Sequence, residues 1–252
     1  IQRPKAQARG KAYLARYLEE VEREWARVRT ERQRGTSVYE WLNYQNKLTK
    51  QNPSFKYKVV YLTSGTNLAA TVVVDESYEV EARGGRVRIN GVVIGHTLYL
   101  FQTNNEDEAH YLTAILNSNI LNGLIKPMQA RGSFGERHIV KKPLEFPIPR
   151  YESDNPVHRR LSELGKEARE AVCRELDRVL KELGYWNTVN NYYSYMYGFS
   201  SGGRPLAPNQ VGRLRDYIRE NVVKDILAEI DQLVVRLLSA SSHRGTLLSF
   251  MS

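Results

Sequence analysis

Two short stretches gather the residues with the most evident chemistry. EVEARGGRVRING (79–91) sets Arg83, Arg86 and Arg88 around a Gly-Gly pair. RGSFGERHIVKKPLEFPIPR (131–150) sets Arg131, Arg137, His138, Lys141 and Lys142 around Gly132 and Gly135, then runs out through Pro143, Pro147 and Pro149. The planar fork of arginine matches phosphate oxygens and guanine edges, and lysine offers a point charge. The whole chain has 37 Lys and Arg against 28 Asp and Glu, a net charge of +9 and a pI near 9.5. Such basicity points to a polyanionic partner such as nucleic acid, against the alternative of a solvated charged face.

Other chemistries find less support. The histidines at 96, 110, 138, 158 and 243 include no helically spaced pair, and there is no Cys-x-x-Cys, so a zinc site lacks its converging ligands. The one cysteine, Cys173, excludes an internal disulfide and fits a reducing, cytoplasmic compartment. It falls on the apolar side of a predicted helix, where a buried, inert thiol is expected. GGRVRING and SSGGRP have glycines but not the Lys-Ser/Thr of a phosphate loop, and read as plain turns. Tyr192, Tyr193, Tyr195 and Tyr197 could stack on bases, but such a cluster more often packs on a neighbouring domain. No apolar run is long enough to cross a membrane, and no signal peptide opens the chain.

The elements that position these residues follow from periodicity and punctuation. In 11–34, Tyr13, Leu14, Tyr17, Leu18, Val21, Trp25 and Val28 fall on one predicted helical stripe. Gly35 ends it, and Ser37 with Glu40 is a capping box for a second helix to about Lys50. FKYKVVYLTS and TNLAATVVVD flank Gly65 as a predicted hairpin; 79–90 is a second one, and 92–103 a further strand or strand pair. A helix opening on Asn104 and acidic residues should break near Asn117-Ser118. His138-Ile139-Val140 reads as a short strand, so Arg137 and Lys141 share a face. Helices follow over 156–183 and 208–238, which could pair antiparallel, with a tyrosine-rich connector between them. The fold class expected is α+β, a mixed β-rich domain (51–150) framed by helical regions at 1–50 and 151–252.

YLTAILNSNILNGLIKPMQARGSFGERHIVKKPLEFPIPRY (111–151) resembles the target-recognition domain of TaqI-type adenine-specific DNA methyltransferases, and is similar to the specificity subunits of Type I restriction-modification systems. SVYEWLNYQNKLTKQNPSFKYKVVYLTSGTNLAATVVV (37–74) looks like the matching upstream part of archaeal adenine methylase-like proteins. The resemblance covers about 37–180 and implies sequence-specific recognition of double-stranded DNA. Glycines would let the loop follow a groove, cations would hold phosphates, and prolines would fix where the chain leaves the DNA.

Such methylases hold the flipped base with an Asn-Pro-Pro-aromatic loop, whereas this chain has Asn52-Pro53-Ser54-Phe55 with no glycine-rich cofactor motif before it. NPSF therefore reads as a helix stop and strand start. The resemblance places S-adenosylmethionine and catalysis in an N-terminal methyltransferase domain preceding Ile1, with this fragment binding DNA and holding no cofactor or metal. An RNA-binding module or a non-catalytic interaction scaffold is the alternative.

Overall fold

The structure, a computed structural model, describes residues 2–240 apart from Arg83, Gly84, His96, Ala130, Ser133, Phe134, Arg137, Tyr197, Gly198 and Ser201; at 82, 131, 132, 135 and 136 it describes the backbone alone. The class is α+β, helix-dominated, with the strands in small antiparallel sheets. Two units divide the chain: Ile1–Asn52 with Val93–His96, and Pro53–Val92 with Thr97–Ser252. Residues 53–92 and 97–150 thus share one unit with the helices after them.

The first unit holds α1 (Arg3–Ala8), α2 (Ala12–Val28) and α3 (Val38–Leu42). Trp25 is buried against Trp41, with ring centroids 4.9 Å apart, and its indole donates to the Thr36 carbonyl at 3.0 Å. Leu14, Leu18 and Val21 are half-buried in line with Trp25, but Tyr13 is 93% and Tyr17 62% exposed, and Val28 is exposed too. The packed stripe is therefore narrower than expected: 14, 18, 21 and 25 lie on one helical line, and the tyrosines lie beside it. The capping box at Ser37 and Glu40 forms. The helix after it stops at Leu42, short of Lys50. Gln45 and Asn46 take positive φ, and the Asn43 side chain accepts from the Leu48 and Thr49 amides. Asparagine side chains compete with the helical ladder in this way.

In the second unit β1 (Tyr57–Leu62) pairs antiparallel with β2 (Ala70–Val74). β3 (Ser77–Ala82) and β4 (Gly85–Asn90) form a separate two-stranded ribbon, and β5 (Leu98–Thr103) lies on the other side of β1. Both expected hairpins form, and the described residues of 92–103 hold one strand, β5. Residues 57–61 of β1 are buried throughout, so both faces of this strand are covered.

α4 (Glu106–Asn117) lies against the sheet, capped by Asn105, whose side chain accepts from the Asp107 and Glu108 amides. Every residue from Ala109 to Leu116 is buried, because the helix α6 (Pro156–Glu182) packs on its other side. Ser118 breaks the helix and caps α5 (Asn119–Ile125) by accepting from the Leu121 amide. β6 (Arg131–Gly132) and β7 (Gly135–Glu136) pair as a miniature hairpin.

The helices α6 (Pro156–Glu182), α7 (Trp186–Met196), α8 (Pro208–Asn221) and α9 (Lys224–Ala240) complete the unit. The tyrosine-rich connector is thus largely the helix α7, and the single helix expected over 208–238 is two, turning at Val222 and Val223. Val223 is buried there, and its amide still bonds back to the Ile218 carbonyl. Both α8 and α9 pack on α6, and Arg160 of α6 grips Glu229 of α9 through two hydrogen bonds at 2.7 and 3.0 Å. Ile115, Leu121, Ile125, Ile139, Ile148 and Leu161 lie at the centre of the core. No helix among the described residues is long and apolar enough to cross a membrane.

Candidate nucleic-acid interface

Among the described residues, the ribbon β3–β4 is the more exposed of the two basic stretches. Its described side chains are all exposed except Val80 and Ile89, which are half-buried. Arg86 and Arg88 alternate with Val87 and so share a face. The register sets Arg88 opposite Glu79 and Arg86 opposite Glu81. Arg86 lies 3.6 Å from Glu79 and 3.4 Å from Glu81. These pairs are solvent-exposed and worth less than about 1 kcal/mol, so a phosphate could displace them. The other face carries Tyr78 and Val87, both exposed. Arg83 lies outside the described residues.

A buried ion pair holds the base of the ribbon. Lys58 of β1 and Asp75, just after β2, meet at 2.5 Å with side chains only 3% and 7% exposed. Asp75 also accepts from the Val92 amide at 2.7 Å, and Lys58 donates to the Val92 carbonyl. Both feet of the ribbon, 75 and 92, are thereby tied to β1. Gly91 allows this closeness: its φ is +84°, and a Cβ there would meet Asp75 Oδ1 at 2.7 Å. Burial alone would raise the Asp75 carboxyl, but the Lys58 ammonium and the Val92 amide outweigh it and hold it below the ordinary aspartate value. The sequence reading passed over this pair; a lone Lys inside the apolar alternation of β1 was the available signal.

The second stretch departs from its expected shape. Residues 138–142 do not form a strand: His138 makes a single bridge to Ser64, Val140 has φ +47°, and a 3-10 turn covers Lys142–Glu145. The Ile139 and Val140 amides both donate to the Thr63 carbonyl, and the Tyr61 hydroxyl donates to the Val140 carbonyl at 3.1 Å. The segment is thus fastened across the end of β1, and the alternation argument for Arg137 and Lys141 fails. His138 and Lys141 are exposed and Lys142 is half-buried. Arg137 lies outside the described residues, and of Arg131, Gly132 and Gly135 the backbone forms the β6–β7 hairpin. The proline-rich exit serves the core: Leu144 and Ile148 are buried, and Tyr111 donates to the Pro149 carbonyl at 3.0 Å.

The two stretches sit at opposite ends of β1. The ribbon leaves from the Tyr57–Val74–Thr103 end, and the 138–142 segment crosses the Leu62–Thr63 end. They are separated by about 20 Å of strand at roughly 3.3 Å per residue. The basicity has a further location that the motif reading missed. Residues 1–52 contain twelve Lys and Arg against six Asp and Glu, leaving 25 against 22 for the remainder. Counting charge by segment would have found it.

The tyrosines differ in exposure: Tyr192 is half-buried, Tyr193 and Tyr195 are exposed, and Tyr197 is outside the described residues. Cys173 is exposed, a correction to the expected buried thiol, because the α6 face that carries it is not closed over by a neighbouring helix at that point. Among the described residues no group of three or more His, Cys, Asp or Glu could hold a metal ion. Asn52-Pro53-Ser54-Phe55 passes through a turn at Pro53-Ser54 directly into β1. No family model, curated protein or solved structure matches the chain.

Proposed function

We propose that this chain recognises double-stranded DNA on behalf of an adenine-specific methyltransferase or restriction-modification enzyme. The observation that carries the reading is the exposed ribbon β3–β4, with Arg86 and Arg88 on one face and its base locked by Lys58 and Asp75. The major groove of B-DNA admits a two-stranded ribbon, whereas the groove of A-form RNA is too deep and narrow for it. His138 and Lys141 would hold phosphate at the other end of the sheet. Methyl transfer from S-adenosylmethionine would then belong to a separate catalytic domain.

Fluorescence anisotropy against duplex DNA, duplex RNA and single strands, over a salt series, tests this. Duplex DNA should bind tightest. Arg86→Ala with Arg88→Ala should lower the log-log salt slope by about two, and Lys141→Ala by about one. If Arg88 reads a guanine edge, its loss should relax preference at one base pair by about 1–3 kcal/mol. All three side chains are solvent-exposed or opposed only by exposed partners, so the fold should be unaffected. Preference for RNA, or binding insensitive to all three substitutions, would remove the proposal. Calorimetric titration with S-adenosylmethionine should give no saturable heat; saturable binding would bring the cofactor site into this chain.

A further inference from the structure

A cavity of about 520 Å³ opens between β2, α4, α6, α8 and the start of α9, away from both basic stretches. That volume falls in the range typical of small-molecule sites. Its walls are mainly apolar, formed by residues such as Val72, Ala114, Val172, Leu214, Ile218 and Ile230. Its polar groups are unevenly signed: Arg169, Arg215 and Arg219 line it, and no Asp or Glu does so among the described residues.

Two features mark it as built to take a ligand. His110 is 95% buried by its 5% exposure, lines the cavity, and has its Nδ1 buried with no hydrogen-bond partner among the described residues. An unsatisfied buried polar atom is a standing cost that a ligand atom would recover. Arg169 has neither a hydrogen-bond nor an ion-pair partner among the described residues, unlike Arg215, which pairs with Asp216 at 2.8 Å, and Arg219, which donates to the Asn117 carbonyl at 3.2 Å. Burial and the neighbouring Arg215 both push the Arg219 guanidinium below its ordinary value, a cost that a bound anion would relieve.

We propose that this cavity binds a small amphipathic carboxylate, its apolar body between α4, α6 and α8 and its charged head at Arg169 with His110 Nδ1 as a further polar contact. The site is independent of DNA recognition, since none of Arg86, Arg88, His138 or Lys141 lines it.

The probe is decanoate, used below its micellar concentration and titrated by calorimetry into the full chain, beside decanol as the neutral analogue. Decanoate should bind at a single saturable site, about tenfold tighter than decanol, the difference one charge-assisted hydrogen bond supplies. Arg169→Glu, at an exposed position, should remove that advantage and leave decanol binding unchanged. Val172→Trp, which fills the half-exposed wall, should abolish binding of both, with thermal unfolding confirming that the variant is folded. His110→Phe keeps the ring and should weaken decanoate severalfold. Absence of saturable decanoate binding, equal affinity for decanol, or indifference to Arg169→Glu and a folded Val172→Trp would each overturn the proposal.

Discussion

Asp75→Ala should destabilise the sheet-bearing unit by about 3–5 kcal/mol, the cost of leaving a buried charge without its partner. Lys58 is almost wholly buried, and its remaining contact is the Val92 carbonyl. Urea unfolding is the measurement, and loss of hydrogen-exchange protection at the Val92 amide should accompany it, since Asp75 is that amide's acceptor. Replacing both partners, Lys58→Met with Asp75→Leu, should recover part of the stability, because two apolar side chains need no pairing with each other, while the Val92 amide and carbonyl still lose their partners. The double variant then separates stability from orientation: its sheet should fold while the ribbon loses the tie that fixes its angle. A shift below 1 kcal/mol for Asp75→Ala would show that the pair is not sealed from water.

The same carboxyl sets an acid limit. Its folded value is depressed, so its contribution is complete above the unfolded aspartate value, about 3.9, and drains away as pH falls through the lower folded one. The wild-type chain should lose this part of its stability below about pH 4, and the double variant should not.

Gly165→Ala should cost about 1–3 kcal/mol, although alanine is the better helix former by about 1 kcal/mol. Gly165 lies where α6 crosses α4, and a Cβ there would stand 2.4 Å from the His110 carbonyl oxygen and 3.1 Å from its carbon. Both atoms are backbone, so no side-chain rotation can relieve the clash and α4 itself must shift. α4 is buried against the sheet on its far side and has nowhere to move without disturbing β1 and β2. Gly212, inside α8 with nothing within 4 Å of its would-be Cβ, is the control. Gly212→Ala should stabilise by up to about 1 kcal/mol, and opposite signs at two helical glycines would isolate the packing effect. Thermal and urea unfolding of both variants provide the comparison; stabilisation by Gly165→Ala would contradict the close approach of α4 and α6.

Local signals in the chain were sufficient for the α+β class, because caps and alternation act within a few residues. The capping box at Ser37, the break at Ser118 and both hairpins are of this kind, and each forms as read. Where residues 137–142 were read by alternation alone, tertiary hydrogen bonding decided otherwise: two amides converge on the Thr63 carbonyl, which no strand register would allow. The helix α7 emerged from a segment rich in Asn and Tyr, residues of modest helix propensity, so its sequence carried little helical signal.

The arginines of the ribbon were legible as an alternating run, and so was the excess charge of the chain. That the ribbon and the 138–142 segment stand at opposite ends of one strand was not, because antiparallel pairing of β1 with both neighbours determines which loop meets which end. The cavity lay further still from any local signal. It joins His110, Arg169 and Arg219, residues 59 and 50 positions apart on three different helices, and only the packing of α4, α6 and α8 brings them to one wall.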